Sequence, residues 1–157
     1  QRGGVVVTTV KIADNVYSPL LGEGEADVIL SFEPIEAYRA IDKASKDTWI
    51  VTNTSPQVPF TVSVGEEEYP DLDKMFESLD EATERLIKID AEELAKKAGA
   101  AITQNIVMVG ALTATGALPL SKEEMLESIK DNVPEKFVDI NQKAFELGYE
   151  AVKEQID

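Results

Sequence analysis

Apolar residues fall in short continuous runs through the first half of the chain and at helical spacing through the second. Val5 to Ile12 is β-branched at most positions and reads as a first strand, fed by the polar, glycine-paired stretch Gln1 to Gly4. Asp27 to Phe32 reads as a second strand, short and apolar as a strand buried on both faces should be. Glu33-Pro34 then opens a helix predicted to run to about Lys46, with proline at the first helical position, where its missing N–H costs nothing. Thr48 to Thr52 is a third strand, Phe60 to Val64 a fourth, and Leu86 to Asp90 a weaker one after a short helix over Asp71 to Leu79.

Helices dominate the remainder. Ala91 to Ala98 is amphipathic, with Gly99 as its stop. Thr103 to about Gly116 is apolar nearly all round and rich in Gly and Ala, the pattern of a helix buried between other elements. Ser121-Lys122-Glu123-Glu124 is a capping box for a helix running to Asp131. The last helix starts near Pro134 and sets Phe137, Ile140, Ala144, Leu147 and Ala151 on one stripe, expected to pack on the sheet. Alternating strand and helix signals place the chain in the α/β class. No internal repeat, low-complexity tract or linker interrupts them.

Composition narrows the chemistry. At 157 residues and 43% hydrophobic content the chain can bury the core of one domain. A net charge of −15 repels a nucleic-acid backbone or an anionic membrane, so neither is an expected partner. The longest apolar stretch, Ile106 to Leu112, is far short of the ~20 residues of a spanning helix. Gln1 to Asp14 lacks a signal-peptide layout, and a cytoplasmic location is expected. The chain contains no Cys and no His, which excludes disulfides, thiol nucleophiles, cysteine-held iron–sulfur clusters and Ser-His catalysis by this chain alone. Carboxylates, three arginines, lysines, amides and backbone remain, a set better suited to binding than to catalysis.

Several clusters of these groups are candidates for function. Arg2 beside Gly3 and Gly4 lets a guanidinium and bare backbone approach an anion together. Glu33 lies where a buried strand gives way to a helix, the place where open α/β sheets keep their ligands, although a carboxylate there also simply stabilises a helix start. Asn53 and Thr54 end the third strand, where they can face the same crevice or serve as turn residues before Pro56. Gln104 and Asn105 stand at the start of the buried helix, whose free N–H groups attract a phosphate or carboxylate or need only a cap. Asn141 lies on the apolar stripe of the last helix, where a buried amide is expected to tie down a loop. Glu66 to Glu68 reads as a solvated turn, since three adjacent carboxylates make a poor metal site. No residue is assigned a catalytic or metal-ligating role.

Taken in order, Gln1 to Val6, Tyr17-Ser18-Pro19-Leu20, Ala26 to Val28 and Phe32 to Arg39 resemble the gamma-type domain of 2-oxoacid:ferredoxin oxidoreductases. Thr52-Asn53-Thr54, Gly65 to Tyr69-Pro70, Gln104 to Ala111, Leu118-Pro119-Leu120 and Asn141 with Ala144 to Gly148 continue the resemblance over nearly the whole chain. It implies a three-layer α/β/α, Rossmann-like domain with a mixed, mostly parallel sheet, spanning residues 1–157 as a single gamma-type unit. It also implies a subunit that is inactive alone. In such complexes a large partner carries thiamine diphosphate and iron–sulfur clusters, decarboxylates an aryl pyruvate and passes electrons to ferredoxin, while the acyl group goes to coenzyme A. The gamma-type domain is associated with the coenzyme A side, and this chain is expected to bind no cofactor by itself.

In the family a strand and a glycine-rich turn leading into a helix stand upstream of the segment matching Gln1. The chain is expected to lack that unit, and poor stability or self-association is expected to follow. Three other readings remain open at this point: a gamma subunit for pyruvate, 2-oxoglutarate or a branched-chain 2-oxoacid; a stand-alone module for coenzyme A or a nucleotide; and a purely structural subunit.

Overall fold

In the computed structural model, residues 6–56 and 70–156 are described. Three strands form one sheet: β1 (Val28–Ser31), β2 (Trp49–Asn53) and β3 (Arg85–Ile89). They lie side by side in chain order and all run parallel, with Ile29 opposite Ile50 and Val51 opposite Ile87. Helices α1 (Pro34–Arg39) and α2 (Leu72–Ala82) lie between the strands in sequence. After β3 come α3 (Ala91–Ala98), α4 (Gln104–Ala114), α5 (Lys122–Asn132) and α6 (Val138–Ile156).

The period-two geometry of a strand divides the core in two. Ile29, Ile50 and Leu86 pack with Ala37 of α1 and Phe76 and Leu79 of α2 on one face. Leu30, Val51, Ile87 and Ile89 pack on the other face with α3, α4 and α6. This is the expected three-layer α/β/α arrangement, and burial of both faces is why the strands read as unbroken apolar runs. The described strands are all parallel; no antiparallel member of the expected mixed sheet is found among them.

Local chemistry sets most boundaries. Asp71 accepts from Asp73 N at 3.0 Å and starts α2, and Asp90 accepts from Glu93 N at 2.9 Å and starts α3. Gly99 ends α3 at φ 124°, a conformation that a residue with a Cβ resists. Ser121 and Glu124 close the expected capping box at the start of α5. The Ser121 backbone N–H and then its hydroxyl, both bonded to the Glu124 carboxylate, hold its pKa below the usual range. A lowered folded pKa stabilises above the unfolded value and is lost as the pH falls through the folded one. Glu124→Ala is therefore expected to flatten the melting-temperature profile between about pH 5 and pH 3, relative to the parent; parallel profiles would remove the contribution. Lys122 joins α5 to α6 with Nζ 2.6 Å from Glu146 and 4.3 Å over the Tyr149 ring. The Glu146 hydrogen bond raises its pKa.

The structure corrects four expectations. Residues 6–12 belong to no ladder, and Val6, Val7, Val10 and Ile12 are exposed; a β-branched run becomes a strand only against a partner surface, and none of the described strands offers it one. The helix after Pro34 stops at Arg39 rather than Lys46, followed by a tight turn at Ile41–Lys43. There the carbonyls of Asp42 and Lys43 are taken by the N–H groups of Gly24 and Ala26, at 3.0 and 2.9 Å, which draws this stretch out of the helix. On α6 the fully buried positions are Ala144, Phe145, Gly148 and Val152, so the stripe is rotated from the expected one and packs chiefly on α4, leaving Phe137 exposed in a preceding turn. Asn141 is half-buried and donates to Phe137 O at 2.8 Å, a bond to the turn before its own helix. The expected strand at Phe60–Val64 and the turn at Glu66–Glu68 lie outside the described residues.

Candidate functional site

The carboxyl ends of three parallel strands meet the starts of two helices along one crest, the general location of ligands in open α/β sheets. Its centre is Asn53, the last residue of β2, whose side chain is fully buried. Nδ2 donates to Phe32 O at 3.1 Å and Ser55 O at 3.4 Å, while Oδ1 accepts from Ala91 N at 3.0 Å and Ser55 N at 3.4 Å. One amide thereby fastens the turn after β1, the turn after β2 and the start of α3, and its hydrogen-bonding capacity is fully used. Thr54 extends the β2–β3 pairing, its backbone N–H donating to Ile89 O at 2.8 Å and its hydroxyl to the same oxygen at 3.3 Å.

Glu33 stands beside this clamp. Its backbone is extended, with φ −157° and ψ 135°, and its carboxylate caps α1 by accepting from Ile35 N at 2.9 Å. The Ser31 hydroxyl donates to the Glu33 carbonyl, fixing the turn. Asp90 does for α3 what Glu33 does for α1, and it also accepts from the Ser55 hydroxyl at 3.2 Å. Sequence reasoning passed over Asp90 and Ser55; an aspartate one residue before a helical pattern was the available signal. Both helix starts at the crest thus hold carboxylates where a phosphate would sit, so the described residues do not fit an anionic cofactor there.

The remaining candidates are elsewhere. Gln104 is half-buried and Asn105 exposed at the start of α4, which has no side-chain cap because the Thr103 hydroxyl bonds back to Ala100 O at 2.8 Å. Asn53 and Thr54 bond to Phe32, Ser55, Ile89 and Ala91 rather than to Gln104 or Asn105, and through Phe32 they stand beside the Glu33 turn. Arg2, Gly3 and Gly4 lie outside the described residues. Also among the described residues, no group of three or more His, Cys, Asp or Glu is placed to hold a metal ion, and no helix is long and apolar enough to cross a membrane. A cleft of about 700 Å³, which the sequence did not foretell, opens between the segment Val10–Ser18, the residues leading into β1 and the loop Ala117–Pro119.

This architecture is that of an open parallel α/β domain whose polar groups at the crest hold turns together. The sequence matches the family model described as pyruvate ferredoxin/flavodoxin oxidoreductase over residues 1–151, and the chain belongs to that family. It is 45% identical over 158 residues to indolepyruvate oxidoreductase subunit IorB of Pyrococcus horikoshii, covering 100% of this chain and 78% of that protein. It is 40% identical over 154 residues to the subunit of the same name from Methanothermobacter thermautotrophicus, covering 98% and 78%. The fold matches the gamma subunit of a keto/oxoacid ferredoxin oxidoreductase from Geobacter sulfurreducens with a TM-score of 0.60 and 23% identity, covering 83% of this chain and 66% of that one.

Proposed function

We propose that this chain is the small subunit of an indolepyruvate:ferredoxin oxidoreductase, a complex that oxidatively decarboxylates aryl pyruvates to acyl-coenzyme A and reduces ferredoxin. The observation that carries this reading is end-to-end similarity, 45% identical with the whole of this chain covered, to a protein bearing the corresponding subunit name. The chemistry of the residues is in accord. A chain without Cys or His cannot ligate an iron–sulfur cluster in the usual way, which accords with the division of labour the family resemblance implies, with clusters and thiamine diphosphate on a larger partner. Ferredoxin is then reached through the assembled complex. This chain supplies a rigid α/β body whose crest orders three turns through Asn53. Arg2 with Gly3 and Gly4 is the proposed place for any anionic group of coenzyme A, and Gln104 and Asn105 are its next contacts.

The test is reconstitution. Expressed alone, the chain is expected to show no aryl-pyruvate-dependent reduction of ferredoxin; co-expressed with its cognate larger subunit, it is expected to co-purify and to restore that activity. Turnover by the chain alone, or a larger subunit fully active without it, would overturn the reading. Within the complex, Arg2→Ala is expected to raise the coenzyme A KM about tenfold, equal to ~1.4 kcal/mol of binding, with little change in kcat. An unchanged KM would remove Arg2 from the coenzyme A side.

A further inference from the structure

We propose that α5 is a hinged cover over Phe145, latched by Lys122, that lifts from α6 while the rest of the domain stays folded. Its place in the packing sets it apart from the other helices. Among the described residues α5 buries only Ile129, whereas α4 buries six positions and α6 four. Ile129 belongs to neither of the two apolar cores that flank the sheet, and Met125 and Leu126 beside it are only half-buried. Phe145 of α6 is also outside both cores, yet it is fully buried. A ring buried away from the sheet needs a cover of its own, and α5 packs on α6. Lys122 of α5 reaches the same place: its Nζ lies 4.3 Å over the Tyr149 ring, which stacks on Phe145 with centroids 6.2 Å apart.

The latch is electrostatic and sits at one end of the helix. Lys122 Nζ is 2.6 Å from Glu146 and 3.7 Å from Glu150; the lysine is 26% exposed and both carboxylates more so, so each contact is weak in water and weaker in salt. The chain can bend on both sides of α5. Before it, Gly116 takes φ 70° with nothing within 4 Å of where a Cβ would stand. After it, Val133 is extended and Pro134 has no N–H with which to continue a helix. A segment with little buried apolar surface and a solvent-exposed latch opens at a lower free energy than the body that carries it. At eleven residues, α5 is also too short to stay helical once it leaves.

The chain has no cysteine of its own, so a single introduced thiol reports opening by its rate of reaction with an aromatic disulfide reagent. In the full chain, Ile129→Cys is expected to react at least about tenfold faster than Val152→Cys, which lies in the core shared by α3, α4 and α6. Lys122→Met keeps the aliphatic stem and removes the charge. It is expected to speed the reaction of Ile129→Cys roughly fivefold and to leave that of Val152→Cys unchanged. Because Ile129→Cys itself thins the cover, hydrogen exchange of the chain without any cysteine is the independent measurement. The α5 amides are expected to exchange at least about tenfold faster than those of α4, and faster again in about 1 M salt. Equal reaction rates at the two thiols, or α5 amides as slow as those of α4, would show that α5 leaves only when the whole domain unfolds and would overturn the proposal. A Lys122→Met effect that is absent, or spread evenly over both thiols, would overturn the latch. No readout here needs a larger subunit, so the outcome is separate from that of the subunit reading.

Discussion

Gly110→Ala is expected to destabilise the chain by about 3 kcal/mol or more, at the upper end of what overpacking costs. In an exposed helix the same change stabilises by about 1 kcal/mol, because alanine is the better helix former. Here the sign reverses. A Cβ at position 110 of α4 would lie 2.0 Å from the carbonyl oxygen of Phe145 in α6, and one at Gly148 would lie 1.9 Å from that of Val107. The two clashes are reciprocal: Val107 pairs with Gly148 and Gly110 with Phe145, so the helices run antiparallel and touch backbone to backbone. Because the obstructing atoms belong to the main chain, no rotamer relieves the overlap and the helices must move apart. That separation loosens Met108, Ala111, Ala144 and Phe145, all fully buried. Urea unfolding measures the loss of free energy, and thermal unfolding is expected to show a drop in melting temperature of roughly 6–12 °C for a domain of this size. A loss below about 1 kcal/mol for both Gly110→Ala and Gly148→Ala would show that α4 and α6 do not touch this closely.

This crossing also shows what could be read in advance. The Gly- and Ala-rich run Thr103 to Gly116 signalled a buried helix because apolar residues occupy its whole circumference, and small residues need close neighbours to exclude water. Which helix it would meet is a tertiary matter, and the stripe on α6 was accordingly misplaced by one position. Elements bounded by short-range chemistry were legible to within a residue or two: Asp71, Asp90, Gly99 and Ser121 terminate helices through bonds made within a few residues. Elements that depend on a distant partner were not. Val5 to Ile12 has every intrinsic feature of a strand, but a ladder requires a second strand, and nothing in the run itself specifies one. The end of α1 failed for a related reason: the Gly24–Asp42 and Ala26–Lys43 bonds come from a loop some 17 or 18 residues earlier.

The crest was legible as a location and less so as chemistry. Strand-to-helix junctions at Glu33 and Asn53 could be found from the order of apolar runs, and the structure sets them side by side. That Asn53 spends its amide on backbone could not be found, because its partners Phe32 and Ala91 are 21 and 38 positions away. Asp90 was hidden by its ordinariness. An N-cap is a local feature with a local explanation, and only the sheet brings it to Ser55 beside Asn53.

Asn53→Ala is the second large effect expected. The substitution leaves the Ala91 N–H and the Phe32 carbonyl without the partners they have at 3.0 and 3.1 Å, in a part of the structure where Ala91 is fully buried. The buried Ala91 N–H left unsatisfied costs roughly 1–3 kcal/mol, and the part-buried Phe32 carbonyl, which water can reach, adds less. Exchange of the Ala91 amide hydrogen should accelerate more than that of the central β2 amides, since the clamp fails at one end of the sheet before the core does. Asn53→Asp separates geometry from charge. It keeps the acceptor that receives Ala91 N–H but turns the donor into an oxygen facing the carbonyls of Phe32 and Ser55. Burial and those carbonyls must raise the pKa of the new carboxyl above its unfolded value of about 3.9. With the folded pKa raised, the folded state binds the extra proton in the interval between the two values. The stability of this variant relative to the parent is then greatest below about pH 4 and is lost as the pH rises through the folded pKa. Equal destabilisation at pH 4 and pH 8 would mean that the Asn53 amide does not donate to these carbonyls, and that the turns of the crest are held by their own backbone.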